Sequence, residues 1–158
     1  MSVAKIGSLE AIVDETRAAR AEGKTVALAN GVFDLLHVGH VRYLQAARAL
    51  ADLLVVAVNS DASTRAYKGP GRPVVSQAER AELIAALACV DHVLVFDEGD
   101  VRQILKALKP DVHVKGTDYT EQTIPERDEV LAYGGRVAIA GDPKDHSSTE
   151  MVRRLKGP

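Results

Sequence analysis

The sequence predicts an α/β domain built around an open parallel sheet of about five strands, with helices on both faces. Short runs rich in Val, Leu and Ala alternate along the whole chain with segments of helical period. These runs are apolar at nearly every position, which is typical of strands that are buried on both faces of a parallel sheet. The predicted strands cover residues 25–29, 53–58, 92–96, 112–114 and 137–140.

The segments around these strands carry helix start and stop signals. Ser76 and Asp100 are suited to cap a helix N-terminus, whereas Pro110 and the Gly134-Gly135 pair follow helix ends. The predicted helices cover residues 9–21, 39–51, 76–88, 100–108, 126–132 and 148–155.

Length and composition fit one domain, residues 1–158, with 46% hydrophobic and 27% charged residues. The net charge of −2 offers no basic surface for nucleic acid, and no segment is apolar for the length of a membrane span. No secretory signal is recognised at the N-terminus, so we expect a cytoplasmic protein. Cys89 is the only cysteine, which excludes an intrachain disulfide and a cysteine-cluster zinc site.

The most informative segment lies between the first strand and the second predicted helix, where residues 30–40 read Asn-Gly-Val-Phe-Asp-Leu-Leu-His-Val-Gly-His. His37 and His40 place two imidazole donors at a helix start, and Gly39 leaves a gap between them that a side chain would close. A phosphate fits such a gap. The alternative is a polar helix start with one satisfied histidine, which the preceding strand makes less favoured.

Two long connections, residues 59–75 and 116–125, leave the carboxyl ends of predicted strands, where ligands of open α/β sheets bind. The first connection carries Arg65, Lys68 and Arg72, cations that can bring an anionic substrate to a phosphate, with Lys68 preferred. A solvated turn is the alternative. Arg80, on the next helix, is predicted either to reach inward or to pair with Glu79 or Glu82 on the surface.

Two further segments are candidates for phosphate or nucleotide contacts. Ser147, Ser148 and Thr149 precede or open the last helix, where unpaired N–H groups and hydroxyls form an anion site or act only as a helix cap. The segment of residues 115–119, Lys-Gly-Thr-Asp-Tyr, leaves the fourth strand where a base or ribose would rest, although alone it could be an ordinary turn.

The His-x-Gly-His sequence at residues 37–40, after Gly-x-Phe-Asp-Leu-Leu, resembles the signature of the cytidylyltransferase-like nucleotidyltransferases, relatives of class I aminoacyl-tRNA synthetases. The resemblance implies a Rossmann-like sheet, an α-phosphate held by His37 and His40, and Mg²⁺ that rides on the phosphates without a protein cage. It assigns Lys68 to catalysis. The implied nucleotide contacts are Gly31, Val32, Phe33, Gly39, Lys115, Gly116, Asp118, Tyr119, Ser147, Ser148 and Thr149. The implied substrate contacts are Asp34, Asn59, Asp61, Arg72 and Arg80.

Within that family the chain most resembles the D-glycero-β-D-manno-heptose 1-phosphate adenylyltransferase branch, through Lys68-Gly69, Arg72-Pro73 and residues 114–119. That branch uses ATP and the sugar phosphate, and in many of its members the domain is fused to a sugar kinase. Two features depart from it: residues 142–146 lack an expected glycine, and Glu150 stands where an uncharged residue is expected. Relatives of this family often form homodimers, and we expect the same here.

Other classes fit less well. The phosphate-binding patterns Gly-x-Gly-x-x-Gly and Gly-x4-Gly-Lys-Ser/Thr are absent, as is the Gly-x-Ser-x-Gly nucleophile elbow. His92, His113 and His146 show no metal-ligand spacing. The remaining alternatives are a cytidylyltransferase that uses CTP with heptose phosphate or glycerol 3-phosphate, and a noncatalytic nucleotide-binding module. Pyrophosphate release separates them.

Overall fold

The computed structural model of the protein describes residues 2–143 and 145–158. Five parallel strands form one sheet in the order β3-β2-β1-β4-β5, which confirms the predicted Rossmann-like α/β fold. The register pairs Ala29 of β1 with Val56 of β2 on one side and with Val114 of β4 on the other. The strands are β1 (Val26–Gly31), β2 (Leu53–Asn59), β3 (His92–Phe96), β4 (Val112–Lys115) and β5 (Arg136–Ile139).

Seven α-helices surround the sheet in the described part of the chain, together with 3₁₀ turns at Ser2–Lys5 and Glu121–Thr123. Ser8, Ser60, Ser76 and Ser147 each cap a helix by accepting a main-chain N–H, as polar residues at these positions are expected to do. The helices are α1 (Leu9–Ala21), α2 (Val38–Arg48), α3 (Asp61–Lys68), α4 (Gln77–Ala85), α5 (Arg102–Leu108), α6 (Arg127–Ala132) and α7 (Ser148–Lys156).

Two hydrophobic cores lie on opposite faces of the sheet. Alternate residues of each strand point to opposite faces, so Ala27 and Ala29 belong to one core while Val26 and Leu28 belong to the other. Helices α2 and α4 cover the first core, and α1, α5 and α6 cover the second. The sheet is therefore buried on both faces, as the continuous apolar strands predict.

Helix α3 was not predicted, because residues 59–75 were interpreted as one long loop. Its buried side chains are Ser63 and Thr64, and Tyr67 is exposed, so the segment shows no apolar stripe of helical period. Lys68 consequently ends a helix rather than lying in a loop, and only residues 69–75 are irregular. Within the described residues, no helix is long and apolar enough to cross a membrane.

Candidate active site

The candidate active site lies at the carboxyl end of β1, where the order of strands across the sheet changes direction. From β1 the chain proceeds to β2 on one side, whereas its other neighbour, β4, comes later in the sequence. Ligands of open parallel sheets bind in the crevice that forms at such a point. The segment between β1 and α2 starts here, so the histidine motif occupies the position where this fold binds ligands.

His37 and His40 form a stacked pair at the start of α2, with ring centroids 3.8 Å apart and 19° between the ring planes. Nδ1 of His37 accepts the N–H of Gly39 at 3.1 Å, and Nδ1 of His40 accepts the N–H of His37 at 3.3 Å. An Nδ1 that accepts a hydrogen bond carries no proton, so each neutral ring has its proton on Nε2. The helix cap therefore makes both rings Nε2–H donors.

Gly39 leaves the space that these rings occupy. A Cβ at this position would lie 2.9 Å from Cε1 and 3.0 Å from Nδ1 of His37, and 3.4 Å from Cβ of His146. The His146 ring lies 6.0 Å from the His37 ring, centroid to centroid. A side chain at residue 39 would therefore displace the His37 ring.

The turn between β1 and α2 has an unusual backbone. Phe33 and Leu35 have φ angles of 53° and 49°. This left-handed region costs a residue with a Cβ about 1–2 kcal/mol. The Phe33 ring contacts the His40 ring edge to face at a centroid distance of 5.4 Å. The strained turn thus places an aromatic ring against one of the two histidines.

Two cavities flank this turn and share one wall. The first has a volume of about 250 Å³ and extends from the histidines to the start of α7. The second, of about 750 Å³, extends toward α3, α5 and the start of α6. The residues on this shared wall line both cavities. They are Asn30, Gly31, Val32, Phe33, His40, Lys68, Asp118 and Ser148.

Most of the residues predicted to contact nucleotide line the first cavity, but Lys115 and Tyr119 line only the second. Lys115 ends β4, and the side chains of consecutive strand residues point to opposite faces. The predicted residues on the first cavity are Gly31, Val32, Phe33, His37, Gly39, His40, Lys68, Gly116, Asp118, Ser147, Ser148 and Thr149.

Lys115 contributes a partly buried cation to the second cavity. Its Nζ lies 4.7 Å from the centroid of the Tyr119 ring. Burial lowers the pKa of Lys115, and the negative charges of Glu126 and Asp118 oppose that shift. Lys115 therefore lines the second cavity only, and its contact with a nucleotide stays a prediction.

The start of α7 closes the first cavity. Oγ of Ser147 accepts the N–H of Glu150 at 3.0 Å and caps the helix. The hydroxyl of Ser148 donates to the main-chain oxygen of Asp34, which ties α7 to the strained turn. Ser148 thus uses its hydroxyl proton inside the protein, and Thr149 and the main-chain N–H groups of the helix start are left as the donors for an anion.

Asp34 and Arg72 bind each other, and Asp34 also lines the second cavity, whereas Arg72 lines neither cavity. The buried Asp34 carboxylate accepts Nε of Arg72 at 2.9 Å and the N–H groups of Val74 and Val75 at 2.9 and 3.0 Å. Burial alone would raise the pKa of Asp34, but these hydrogen bonds outweigh it and hold the pKa below its ordinary value. The pair anchors the segment that follows α3.

Arg80 reaches inward, one of the two predicted alternatives, yet it holds main chain rather than a substrate. Its side chain is wholly buried and donates to the carbonyl oxygens of Val32, Asn59 and Val75 and to the carboxylate of Asp61. Neither cavity described above is lined by Arg80, Asp61 or Arg72. All three form hydrogen bonds or ion pairs within the protein, and their contact with a substrate stays a prediction. Asn59 does line the second cavity.

Asn30 and His113 form a polar contact that was not predicted from the sequence. Oδ1 of Asn30 lies 3.0 Å from Nε2 of His113, which is completely buried. Burial, aided by the charge of Lys115, lowers the pKa of His113 to about 3, so the ring is neutral and its Nε2–H donates to Asn30. Asn30 lies on the shared wall. Asn30 could have been identified from the sequence, because it is a polar residue near the end of a buried strand and directly precedes the motif.

The far wall of the second cavity carries charged residues that were not predicted from the sequence either. Arg102 donates to the carboxylates of Asp100 and Glu129, the latter at 2.6 Å. Glu126 lines the same cavity, and only 5% of its surface is exposed. These residues meet only through the packing of α5 against α6, so no local sequence signal identifies them. Among the described side chains, no group of three or more His, Cys, Asp and Glu residues is placed to hold a metal ion.

A family model described as cytidylyltransferase-like matches residues 28–154 of the sequence. The chain therefore belongs to the cytidylyltransferase-like family of nucleotidyltransferases. This confirms the resemblance drawn from the His-x-Gly-His motif and the expectation of a nucleotidyltransferase.

Curated relatives are more similar still. The bifunctional protein HldE of Syntrophotalea carbinolica is 50% identical over 151 residues, 96% of this chain and 31% of that protein. HldE of Geotalea uraniireducens is 46% identical over 155 residues, 98% of this chain and 32% of the relative. The chain thus spans about a third of the length of these relatives.

A solved structure is also similar. The crystal structure of the lipopolysaccharide core biosynthesis protein from Thermoplasma volcanium matches with a TM-score of 0.66 and 28% sequence identity. The match covers 77% of this chain and 99% of that one.

Proposed function

We propose that the chain transfers AMP from ATP to D-glycero-β-D-manno-heptose 1-phosphate and releases pyrophosphate. The observation that carries the proposal is the wall shared by two cavities, because it supplies a separate space for each substrate and one place where their phosphates meet. His40 and Lys68 lie on that wall. The relatives named HldE and the resemblance to the heptose 1-phosphate branch support the choice of substrates.

The first cavity suits the triphosphate. The N-termini of α2 and α7 both open on it, and helix N-termini bind anions through main-chain N–H groups and the helix dipole. The Nε2–H donors of His37 and His40 serve the oxygens of the α-phosphate. Thr149 and the start of α7 serve the phosphates that leave as pyrophosphate.

The second cavity suits the acceptor. Lys68 and Lys115 supply positive charge for its phosphate, and Asn59 and Tyr119 offer polar groups for the remainder of the molecule. Lys68 lies on the shared wall, so its ammonium group can neutralise both the acceptor phosphate and the α-phosphate as they approach. Lowering the repulsion between two anions is the first requirement of this reaction.

The chemistry needs no nucleophile from the protein. An oxygen of the acceptor phosphate forms a bond to the α-phosphorus of ATP, and the bond between that phosphorus and the bridging oxygen to the β-phosphate breaks. Both electrons of the broken bond leave with pyrophosphate. The attacking oxygen is already ionised at neutral pH, so no general base is required. Positioning and charge stabilisation supply the catalysis, and each histidine donor contributes about 10²–10³ in rate, as oxyanion donors do.

We propose that Mg²⁺ enters with the triphosphate. Asp118, Asp142 and Asp145 are carboxylates on the first cavity, but Asp142 lies 2.7 Å from Arg42 and Asp145 lies 3.3 Å from His146. These residues do not form a cage for a resident ion, so the phosphates would provide the ligands, as is usual for Mg²⁺ in nucleotide sites. The homodimer and the cytoplasmic location stay predictions from the sequence.

The test is pyrophosphate release from heptose 1-phosphate or glycerol 3-phosphate with each of ATP, CTP, GTP and UTP at equal concentration. We expect ATP with heptose 1-phosphate to dominate. Dominance by CTP would overturn the adenylyl assignment. Turnover on glycerol 3-phosphate alone would overturn the assignment of heptose 1-phosphate as the acceptor. If no pair of substrates releases pyrophosphate, the remaining alternative is a nucleotide-binding module.

Variants then test the residues. His37→Ala and His40→Ala should each lower kcat by at least about a hundredfold, because their donors act in the transition state. His92→Ala, on β3 and paired with Glu15, is the matched control and should retain activity. A near-normal kcat in His37→Ala or His40→Ala would contradict the proposed mechanism.

The cation on the shared wall is tested in the same way. Lys68→Ala should impair turnover with both substrates bound, whereas Arg65→Ala should not, since Arg65 is exposed on the same helix and lines neither cavity. Equal effects of the two substitutions would show that only net charge matters.

A further inference from the structure

Glu126 is a buried carboxylate with one oxygen that forms no hydrogen bond among the described residues. It occupies the N-cap position of α6, and its main-chain oxygen accepts the N–H of Val130 at 3.2 Å. Its side chain makes no cap hydrogen bond. Although only 5% of the residue is exposed, Oε2 has no hydrogen-bond partner among the described residues. A buried polar atom without a partner is costly, so a native structure that keeps one needs a reason for it.

The position of Glu126 supplies that reason. The residue lines the second cavity, on the wall formed by the start of α6 rather than on the shared wall. Asp97, Asp100 and Arg102 line the same cavity, and Arg102 is paired with Asp100 and Glu129. Lys68 lies on the shared wall, and Lys115 lies near enough to Glu126 for their charges to interact. An acceptor with one phosphate is therefore repelled at its anionic end from Glu126 and attracted toward Lys68.

Glu126 is therefore suited to bind the neutral part of the acceptor rather than its phosphate. An ionised carboxylate only accepts hydrogen bonds, and a hydroxyl group is a neutral donor of the kind a polyol carries in number. A hydroxyl–carboxylate bond is charge-assisted and short. Because Oε2 itself is buried, such a bond satisfies it when the carboxylate turns that oxygen toward the cavity. The glutamate would thus recognise hydroxyls and reject alkyl groups, which cannot satisfy it.

We propose that Glu126 is a specificity-determining residue that accepts hydrogen bonds from hydroxyl groups of the acceptor sugar. The proposal rests on the proposed function only in taking the second cavity as the acceptor site. It makes the side chain selective for hydroxylated phosphates over phosphates that lack hydroxyls, and it fixes the direction in which the acceptor lies in the cavity.

The experiment compares Glu126→Gln with the wild-type chain. Calorimetry measures the affinity for heptose 1-phosphate, for glucose 1-phosphate and for inorganic phosphate as a probe without carbon-bound hydroxyls. Pyrophosphate release gives KM for heptose 1-phosphate and for ATP. We expect Kd and KM for the sugar phosphates to rise about 10- to 100-fold, with the KM for ATP and the affinity for inorganic phosphate unchanged.

Asp128→Asn is the matched control, because it removes a carboxylate two residues along the same helix whose side chain is 97% exposed. It should leave every constant unchanged. Glu126→Gln should fold with at least wild-type stability, since the replaced oxygen has no partner to lose, and urea unfolding checks this.

The outcomes separate the two proposals. Unchanged sugar-phosphate affinity in Glu126→Gln overturns the role of Glu126. Equal weakening of sugar phosphate and inorganic phosphate also overturns it, because Glu126 would then act on the phosphate or on the fold. If the wild-type chain releases no pyrophosphate with heptose 1-phosphate, the proposed reaction fails, while the calorimetry with glucose 1-phosphate still decides the role of Glu126.

Discussion

Replacing Gly39 by Ala should separate stability from catalysis in this protein. Gly39 is the second residue of α2 and lies between the two motif histidines. The new Cβ would lie 2.9 Å from Cε1 of His37, whereas ordinary van der Waals contact begins at 3.4 Å. The His37 ring must therefore move by about 0.5 Å, the difference between these two distances. A side-chain ring can make that movement without disturbing the helix.

The stability of the variant should change little. Ala is favoured over Gly in a helix by about 1 kcal/mol, and this gain offsets the cost of moving one ring. We expect the free energy of unfolding to stay within about 1 kcal/mol of wild type, measured by urea denaturation.

Activity should fall further, because a misplacement of about 1 Å of a catalytic group costs about 10² in rate, so the movement of about 0.5 Å alone costs about tenfold. The N–H of residue 39 also holds Nδ1 of His37, so the ring loses its hydrogen-bond geometry as it moves. We expect kcat/KM to fall by about 10²-fold in the pyrophosphate assay, which corresponds to about 2.7 kcal/mol.

The double variant Gly39→Ala with His37→Ala identifies the cause. If the loss comes from displacing His37, then adding Gly39→Ala to His37→Ala should cost less than about threefold, since no ring remains to be displaced. A full further loss of about a hundredfold would show that Cβ blocks the nucleotide directly. Wild-type activity in Gly39→Ala alone would refute the assigned geometry.

Further predictions concern stability and metal. The pKa of His113 is about 3 in the folded protein against 6.5 ordinarily, so the fold is destabilised as the pH falls from 6.5 toward 3 and the unfolded chain takes up the proton. Between pH 7 and pH 5 the free energy of unfolding, measured in urea, should fall by about 2 kcal/mol more for wild type than for His113→Leu; equal losses would contradict the burial of a neutral His113. Asp34→Asn should cost about 3–5 kcal/mol, because Arg72 would keep its charge with only 11% of its side chain exposed. Asp142→Asn, which breaks an exposed pair, should cost under about 1 kcal/mol. EDTA should abolish pyrophosphate release and leave the unfolding midpoint unchanged, whereas a lowered midpoint would reveal a structural metal.

The strands could be predicted from sequence because a sheet buried on both faces leaves a continuous apolar signal. Each strand was placed within two residues, and β3 was predicted with the bounds that the structure shows. Helix ends were less accurate: α4 was predicted to extend to residue 88 but ends at Ala85. Propensity favours continuing such a helix, whereas tertiary packing decides where it ends.

The histidine motif could be predicted because its geometry is local. A cap at residue 37, a glycine at 39 and a second ring at 40 lie within one helical turn, so sequence spacing fixes their arrangement. Arg72 and Arg80 could not be assigned in the same way. The sequence shows the charge of such a residue but not the residue with which it pairs. Arg72 and Arg80 pair with Asp34 and Asp61, which lie in segments distant in sequence.

The strained turn at Phe33 and Leu35 has a consequence for any selection that favours heat resistance. Two residues there occupy left-handed backbone, and substitution by Gly would relieve that strain at either position. Variants selected for survival at high temperature should therefore change Leu35, which is only partly buried, and keep Phe33. Phe33 is 5% exposed and belongs to the core, so removing its ring would cost about 3–5 kcal/mol, more than the strain relieved. The same loss would remove the contact that supports His40. The strain at Phe33 is thus retained because the ring that carries it serves both the core and a motif histidine.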